Sequence, residues 1–249
     1  AENTIMVFSG PNPRSVDLKS ASILLDSDES ETVKTSVSLF AKDIEKVSGV
    51  KPMLVNEVPK STIVVVGTVG SSCWIDHLVK LKKLDVSKIT DGWERFVIKV
   101  VNKPFKGVEK ALVIAGSDRR GTAYGLFSVS EAIGVSPWYW WGDVPVEHRE
   151  NLFVSADFTS PEPSVRYRGI FINDEDWGMK TWSSNNYEKD LGDIGPKTYA
   201  KICELILRLK GNMLAPAMHE CTGAFYTHPE NKVVADKYGI MITTSHCEP

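Results

Sequence analysis

Short apolar runs bounded by turn residues constrain this chain more than anything else in it. STIVVVG (61–67) is continuous and only strand-length, as expected of a strand buried in a sheet. SASILLD, ending at Asp26, ERFVIKVV (94–101) and KALVIAG (110–116) read as further strands. Helical periodicity lies between them. Val33, Val37, Phe40, Ile44 and Val47 recur at steps of 4, 3, 4 and 3, one apolar stripe at the 3.6-residue period. Ser30 is placed to cap that helix and Gly49 to end it. Trp74, Leu78 and Leu81 mark a second helix. A third runs from Arg119 to Ile133, with Ala123, Phe127 and Ser130 on one face and Gly134 closing it. Strands alternating with helices at these spacings predict an α/β layer structure.

SADFTSPEPS (155–164) has no periodicity and two prolines, which favour an extended connection; it is the linker candidate. The expected division is an accessory α/β domain over 1–160 and a second domain over 161–249. Beyond it the pattern becomes strand, then helix. RGIFIN (168–173) is a strand followed by a long polar loop. Pro196 opens a helix with Tyr199, Ile202, Ile206 and Leu209 on one stripe, which Gly211 ends. NMLA (212–215) is the next strand, NKVVADKYG (231–239) a short helix and IMITT (240–244) a third strand. Three β/α units in order are how a TIM barrel begins, but three strands cannot close one of eight.

Composition excludes several classes of function. The 249 residues carry 29 basic and 32 acidic side chains, a net charge of −3, without the basic footprint of a nucleic-acid binder. No run approaches the ~20 apolar residues of a membrane helix. Cys73, Cys203, Cys221 and Cys247 are too few and too scattered for a disulfide scaffold, and Cys203 falls in a helical core pattern. The start, AENTIMVFSG, lacks the regions of a signal peptide, which fits either a cytosolic protein or a mature form whose signal has gone.

In (β/α)8 enzymes the active site lies at the C-terminal ends of the strands. Here those ends read Asn173-Asp174-Glu175-Asp176-Trp177, then Pro216 to His219-Glu220, then Ser245-His246-Cys247-Glu248. Carboxylates, imidazoles and an amide converging from three strands suit proton transfer and sugar-hydroxyl binding. Strand ends are also polar simply because loops meet water. Three other features compete. GTVGSS (67–72) and GSDRRG (116–121) join strands to helices but lack phosphate-loop spacing, and Asp118 would repel a phosphate while capping a helix well. His219, Cys221, His246 and Cys247 are zinc-ligand types at spacings tighter than zinc motifs use, so no metal is assigned. Trp138, Tyr139, Trp140 and Trp141 form either an apolar seam between domains or a sugar-stacking platform, and the seam is preferred.

GSDRRGTAYGLFSVSEAIGVSPWYWWGDVPV (116–146), YRGIFINDEDWG (167–178), RLKGNMLAPAMHE (208–220) and DKYGIMITTSHCEP (236–249) together resemble glycoside hydrolase family 115. That resemblance implies an α-glucuronidase removing glucuronic acid, often 4-O-methylated, from xylan side branches. It also implies a hexosaminidase-like α/β domain followed by the first three β/α units of an incomplete TIM barrel. The family inverts configuration, which needs an acid and a base about 6.5–9.5 Å apart. The resemblance makes Asp174 the catalytic candidate, with Asn173 orienting a sugar hydroxyl. Glu175, Trp177, His219, His246 and Glu248 are the remaining expected substrate contacts. The family's general acid is a glutamate from a later strand. Two departures stand out: family members often carry Trp near Ala215 and His219, and His where Cys247 stands. The group recognising the uronate carboxylate is expected further along the polypeptide, because Arg166 and Arg168 start the first barrel strand and so lie at its wrong end. No cofactor is implied. The expected partner is xylan or another polysaccharide bearing glucuronic acid, met outside the cell or in the periplasm; a homodimer is among the expected states of the full-length protein. The alternatives are a non-catalytic carbohydrate-binding or scaffold protein, and a relative acting on another uronic-acid polymer. The 249-residue chain is expected to be inactive alone.

Overall fold

The computed structural model describes residues 3–173 and 175–244. The chain divides into two units, residues 1–164 and 165–249. In the first, the order is β1 (Thr4–Phe8), β2 (Val16–Asp17), β3 (Ser22–Leu25), α1 (Glu31–Ser48), β4 (Leu54–Val55), β5 (Ile63–Thr68), α2 (Cys73–Lys80), β6 (Phe96–Asn102), β7 (Lys110–Gly116), α3 (Arg119–Ala132) and β8 (Phe153–Thr159). Its strands form one mixed sheet in the order β1-β8-β6-β7-β5-β3-β4, with β2 also on β8. β4, β3, β5 and β7 run parallel, while β6, β8 and β1 are joined to them antiparallel.

The apolar runs account for the centre of this sheet. Every residue of β5 is buried, and β7 is buried from Ala111 to Gly116. Alternate residues serve opposite faces. Val65 and Val113 join Ile75 and Leu78 of α2 in one apolar cluster. On the other face α3 approaches so closely that a Cβ on Gly125 would stand 2.8 Å from Ile114 Cγ2. α1 packs beside α3. Its ends are those the sequence predicts: Ser30 Oγ accepts from the Val33 N–H, and Gly49 turns at φ 79°.

Two expectations need correcting here. Residues 155–159 of the linker candidate belong to β8, hydrogen-bonded between β1 and β6. Pairing on both sides overrides a composition that looks loop-like, and Lys99 meets Asp157 across the strands at 3.5 Å. Leu81 lies beyond α2 and is half-exposed; Ile75 and Leu78 are the buried residues of that helix.

The second unit holds β9 (Gly169–Phe171), β10 (Met213–Ala215) and β11 (Met241–Ile242), parallel in the order β11-β10-β9. α5 (Pro196–Arg208) and α6 (Pro229–Tyr238) pack against each other. Between β9 and α5 the sequence suggests a polar loop, but the chain is helical there. Wide π-type turns at Glu175–Met179 and Ser183–Tyr187 flank a single α-helical turn, α4 (Lys180–Trp182). No apolar stripe announces this segment. It is held by specific contacts, Trp182 stacked on Tyr187 and buried Ser183 bonded to Thr198 Oγ1 at 2.8 Å. The end of α5 also differs: Lys210, at φ 62°, makes the left-handed turn expected of Gly211, whose N–H returns to Ile206 O.

Candidate active site

Parallel strands bring all their C-terminal ends to one edge, so residues following β9 and β10 meet. The opposite edge is bolted shut by backbone satisfaction. Asn212 accepts from the Arg168 N–H and donates to Arg166 O, and the Arg168 guanidinium is bound to the carbonyls of Val165, Arg166 and Lys210. Arg166 and Arg168 therefore stand away from the strand ends.

At the C-terminal edge a cluster forms from two segments. Glu175 is 0% exposed, and its Oε1 accepts from the consecutive N–H groups of Met218 (2.8 Å) and His219 (2.9 Å). Burial pushes the Glu175 carboxyl up, but those two N–H groups and the nearby imidazole outweigh it and hold the group below the usual range. Asp176, the next residue, points outward to His219 Nδ1, a short contact, and also takes the Cys221 thiol. His219 Nδ1 lies 3.8 Å from Glu175 Oε1 as well. The hydrogen bond that His219 Nδ1–H donates to Asp176 raises the His219 pKa above its ordinary value, against a smaller opposing effect of burial. Burial and Asp176 push the Cys221 thiol up to about 11, which keeps it a neutral donor.

A second carboxylate ties the far end of the same loop. Asp193 Oδ2 accepts from the Gly223 N–H (3.0 Å) and meets His228 Nε2 (2.8 Å), while Oδ1 caps the Ile194 N–H. Glu188 in turn accepts from the N–H groups of Gly195 and Thr198 at the start of α5, which has no side-chain cap at Gly195. The segment from Met218 to His228 is thus pinned at both ends by carboxylates from the β9–α5 connection.

Of the residues expected from sequence, Asn173 is exposed just past β9 and Trp177 is 90% exposed on the first wide turn. Glu175 and His219 come together. Asp174, His246 and Glu248 lie outside the described residues. Asp176 and Asp193 carry contacts that the sequence reading did not assign. Asp176 lies within NDEDWG (173–178), so its proximity is legible in the sequence but its partner is not. Asp193 has no signal beyond an acidic residue before a helix.

In the first unit, the loops weighed as phosphate binders are filled by the chain's own carboxylates. Asp118 Oδ1 accepts from the Gly121 N–H and its Oδ2 from the Glu94 N–H. Glu29, buried, accepts from the Thr68 N–H at 2.6 Å, with Thr68 Oγ1 bonded to Thr122 Oγ1. An open groove of about 580 Å³ beside Met6, Lys99 and Asp157 contains none of the candidate residues. In the aromatic segment, Trp140 meets Trp141 edge to face and Lys46 lies 3.8 Å over the Tyr139 ring.

Comparison with known proteins places the chain in a family. Residues 160–249 match the model of glycosyl hydrolase family 115. A solved GH115 4-O-methyl-α-glucuronidase, with specificity for decorated arabinogalactans, is 38% identical over 98% of this chain, with a TM-score of 0.82. The chain spans 30% of that enzyme's length. Flavobacterium johnsoniae chitobiase (11% identity, 97% of this chain and 33% of that one, TM-score 0.53) shares the fold. So does a mutant Streptomyces plicatus β-hexosaminidase (9% identity, 94% of this chain and 43% of that one, TM-score 0.56). No curated protein matches the sequence. The hexosaminidase-like α/β fold, the family model over the second unit and the identity maintained along nearly the whole chain converge: this chain belongs to glycosyl hydrolase family 115.

Proposed function

We propose that this chain supplies the accessory domain and the first three β/α units of a longer glycoside hydrolase that removes glucuronic acid, with or without a 4-O-methyl group, from polysaccharide side branches. The observation that carries the reading is the gathering of Glu175, Asp176 and His219 where β9 and β10 end, supported by the 38% identity to a glucuronidase. In this reading β9 to β11 begin a (β/α)8 barrel, and later units bring the general acid. Inverting hydrolysis would have one carboxylic acid protonate the glycosidic oxygen while a second carboxylate activates water on the opposite face. Asp174 is the candidate for a group contacting the transition state, and Asn173 for one orienting a sugar hydroxyl. His246 and Glu248 would complete the wall. A polymeric substrate places the enzyme outside the cell or in the periplasm.

Two substrates merit direct comparison. Glucuronoxylan is the expectation from the family resemblance, and decorated arabinogalactan is favoured by the specificity of the similar solved enzyme. The test is to incubate the intact protein with each polymer and follow released glucuronic acid by proton NMR, which reports the anomer first formed. Release of the β-anomer from either polymer supports the reading and names the substrate. Absence of release from both would sink it, and release by the 249-residue chain alone would overturn the need for further β/α units.

A further inference from the structure

We propose that His219 binds the carboxylate of the uronic acid through Nε2, and that Asp176 is the positioning residue that fixes the imidazole for this task by holding Nδ1. The inference rests on the glucuronidase reading above and goes beyond it, because the sequence alone assigns uronate recognition to residues further along the polypeptide.

The geometry begins with the loop. Glu175 fixes the backbone of Met218 and His219, and Asp193 fixes Gly223 and His228, so the segment carrying His219 is anchored on both sides of it. The imidazole is then held by one nitrogen. Asp176 engages Nδ1, and the ring stands about one-third exposed at the strand ends. With Nδ1–H donated to a carboxylate, Nε2 is the nitrogen left for a ligand. It serves as a donor only when the ring is protonated, since the neutral ring would keep its single proton on Nδ1.

The chemistry of the ligand follows from that restriction. A sugar hydroxyl can donate or accept, so it would bind either charge state of Nε2. A carboxylate accepts only, so it binds the imidazolium and not the neutral ring with its proton on Nδ1. The surrounding charges permit an anion. Glu175 and Asp176 face the ring from the first wide turn; Glu175 Oε1 accepts two backbone N–H groups, and its Oε2 is buried with no hydrogen-bond partner among the described residues. Cys221 donates to Asp176 from the same loop as a neutral thiol, and Lys180 on α4 lies near enough to act on that thiol. Among the described residues, these two carboxylates are set against one imidazolium and one ammonium. Asp176 keeps His219 protonated to higher pH than an isolated histidine, which extends the range over which the donor exists.

The test compares two probes on the intact protein: D-glucuronic acid and D-glucuronamide, which has the same ring with no charge at C6. Dissociation constants are measured by titration calorimetry across pH 5 to 9, as order-of-magnitude limits around the histidine range. Glucuronic acid should weaken by up to about tenfold per pH unit once His219 deprotonates, while glucuronamide stays flat. The variant H219Q retains a hydrogen-bond donor but should abolish the pH dependence for glucuronic acid. D176N should move the onset of weakening to lower pH, and D176E should restore it. A merely structural role for Asp176 would weaken both probes alike at every pH without moving the onset. Equal pH dependence for the two probes, or an unchanged profile in H219Q, would overturn the proposal. If the wild-type protein releases glucuronic acid from polymer yet shows either of those results, only this inference fails. If it neither releases nor binds glucuronic acid, the glucuronidase reading fails first.

Discussion

A carboxylate that is fully buried yet ionised needs fixed donors, and Glu175 has two in consecutive backbone N–H groups. Replacing it with alanine strands both donors in a buried place. At about 1–3 kcal/mol for each unsatisfied group, E175A should destabilise the second unit by roughly 2–6 kcal/mol, read from the urea midpoint of the intact protein. E175Q keeps one oxygen to accept both bonds and should lose less. The difference between wild type and E175Q also has a defined pH dependence. Because the folded-state pKa lies below the unfolded value, the ionised carboxylate contributes stability above about pH 4.3, the unfolded value. That contribution is lost as pH falls through the depressed folded pKa. The two proteins should therefore converge in acid. A gap that widened there would mean that the carboxyl is held protonated in the fold. The sequence displays Asn173 to Trp177 as one polar run, and nothing in that run says which side chain turns inward. Glu175 is inside and Trp177 is 90% exposed because a wide helical turn, absent from the pattern of apolar residues, sets their directions.

Elements announced by apolar periodicity are those the sequence made plain. β5, β7, α1, α3 and α5 follow from unbroken apolar runs or from an apolar stripe opened by a capping residue or a first-turn proline. β1, β8 and the helical run from Glu175 to Tyr187 were hidden, since pairing partners and single contacts hold them. The end of α5 shows a finer limit. A glycine at 211 looks like the terminator, yet Lys210 takes the left-handed conformation one residue earlier. For an L-residue that conformation costs about 1–2 kcal/mol, while glycine there loses about 0.5–1 kcal/mol more chain entropy on folding. K210G should thus raise stability by roughly 0.5–1 kcal/mol, measured as a higher denaturant midpoint. Its backbone carbonyl would still accept from Arg168 Nε. A drop instead would show that the Lys210 side chain supplies more than the strained backbone costs.

At the scale of the molecule, the two units differ in how well their described sheets are covered. In residues 1–164 an eight-stranded mixed sheet has α2 on one face and α3 on the other, and its strand β5 is wholly buried. In residues 165–249 the described sheet has three short parallel strands, and β9 is exposed along its length, with Ile170 and Phe171 among the exposed apolar side chains. Parallel sheets are stable when both faces are covered, and three strands of two or three residues bury little for the chain entropy they must overcome. Expressed separately, residues 1–164 should unfold in one cooperative urea transition with a dispersed amide NMR spectrum. Residues 165–249 should show helical circular dichroism from α5 and α6 but no cooperative transition, and should bind a dye that reports exposed apolar surface. This contrast connects to function: the clamp of Glu175 and Asp193 positions His219 only while β9 and β10 stay paired. A sharp transition in isolated 165–249 would mean that the carboxylate clamps and the α5–α6 packing suffice to hold the strand ends together.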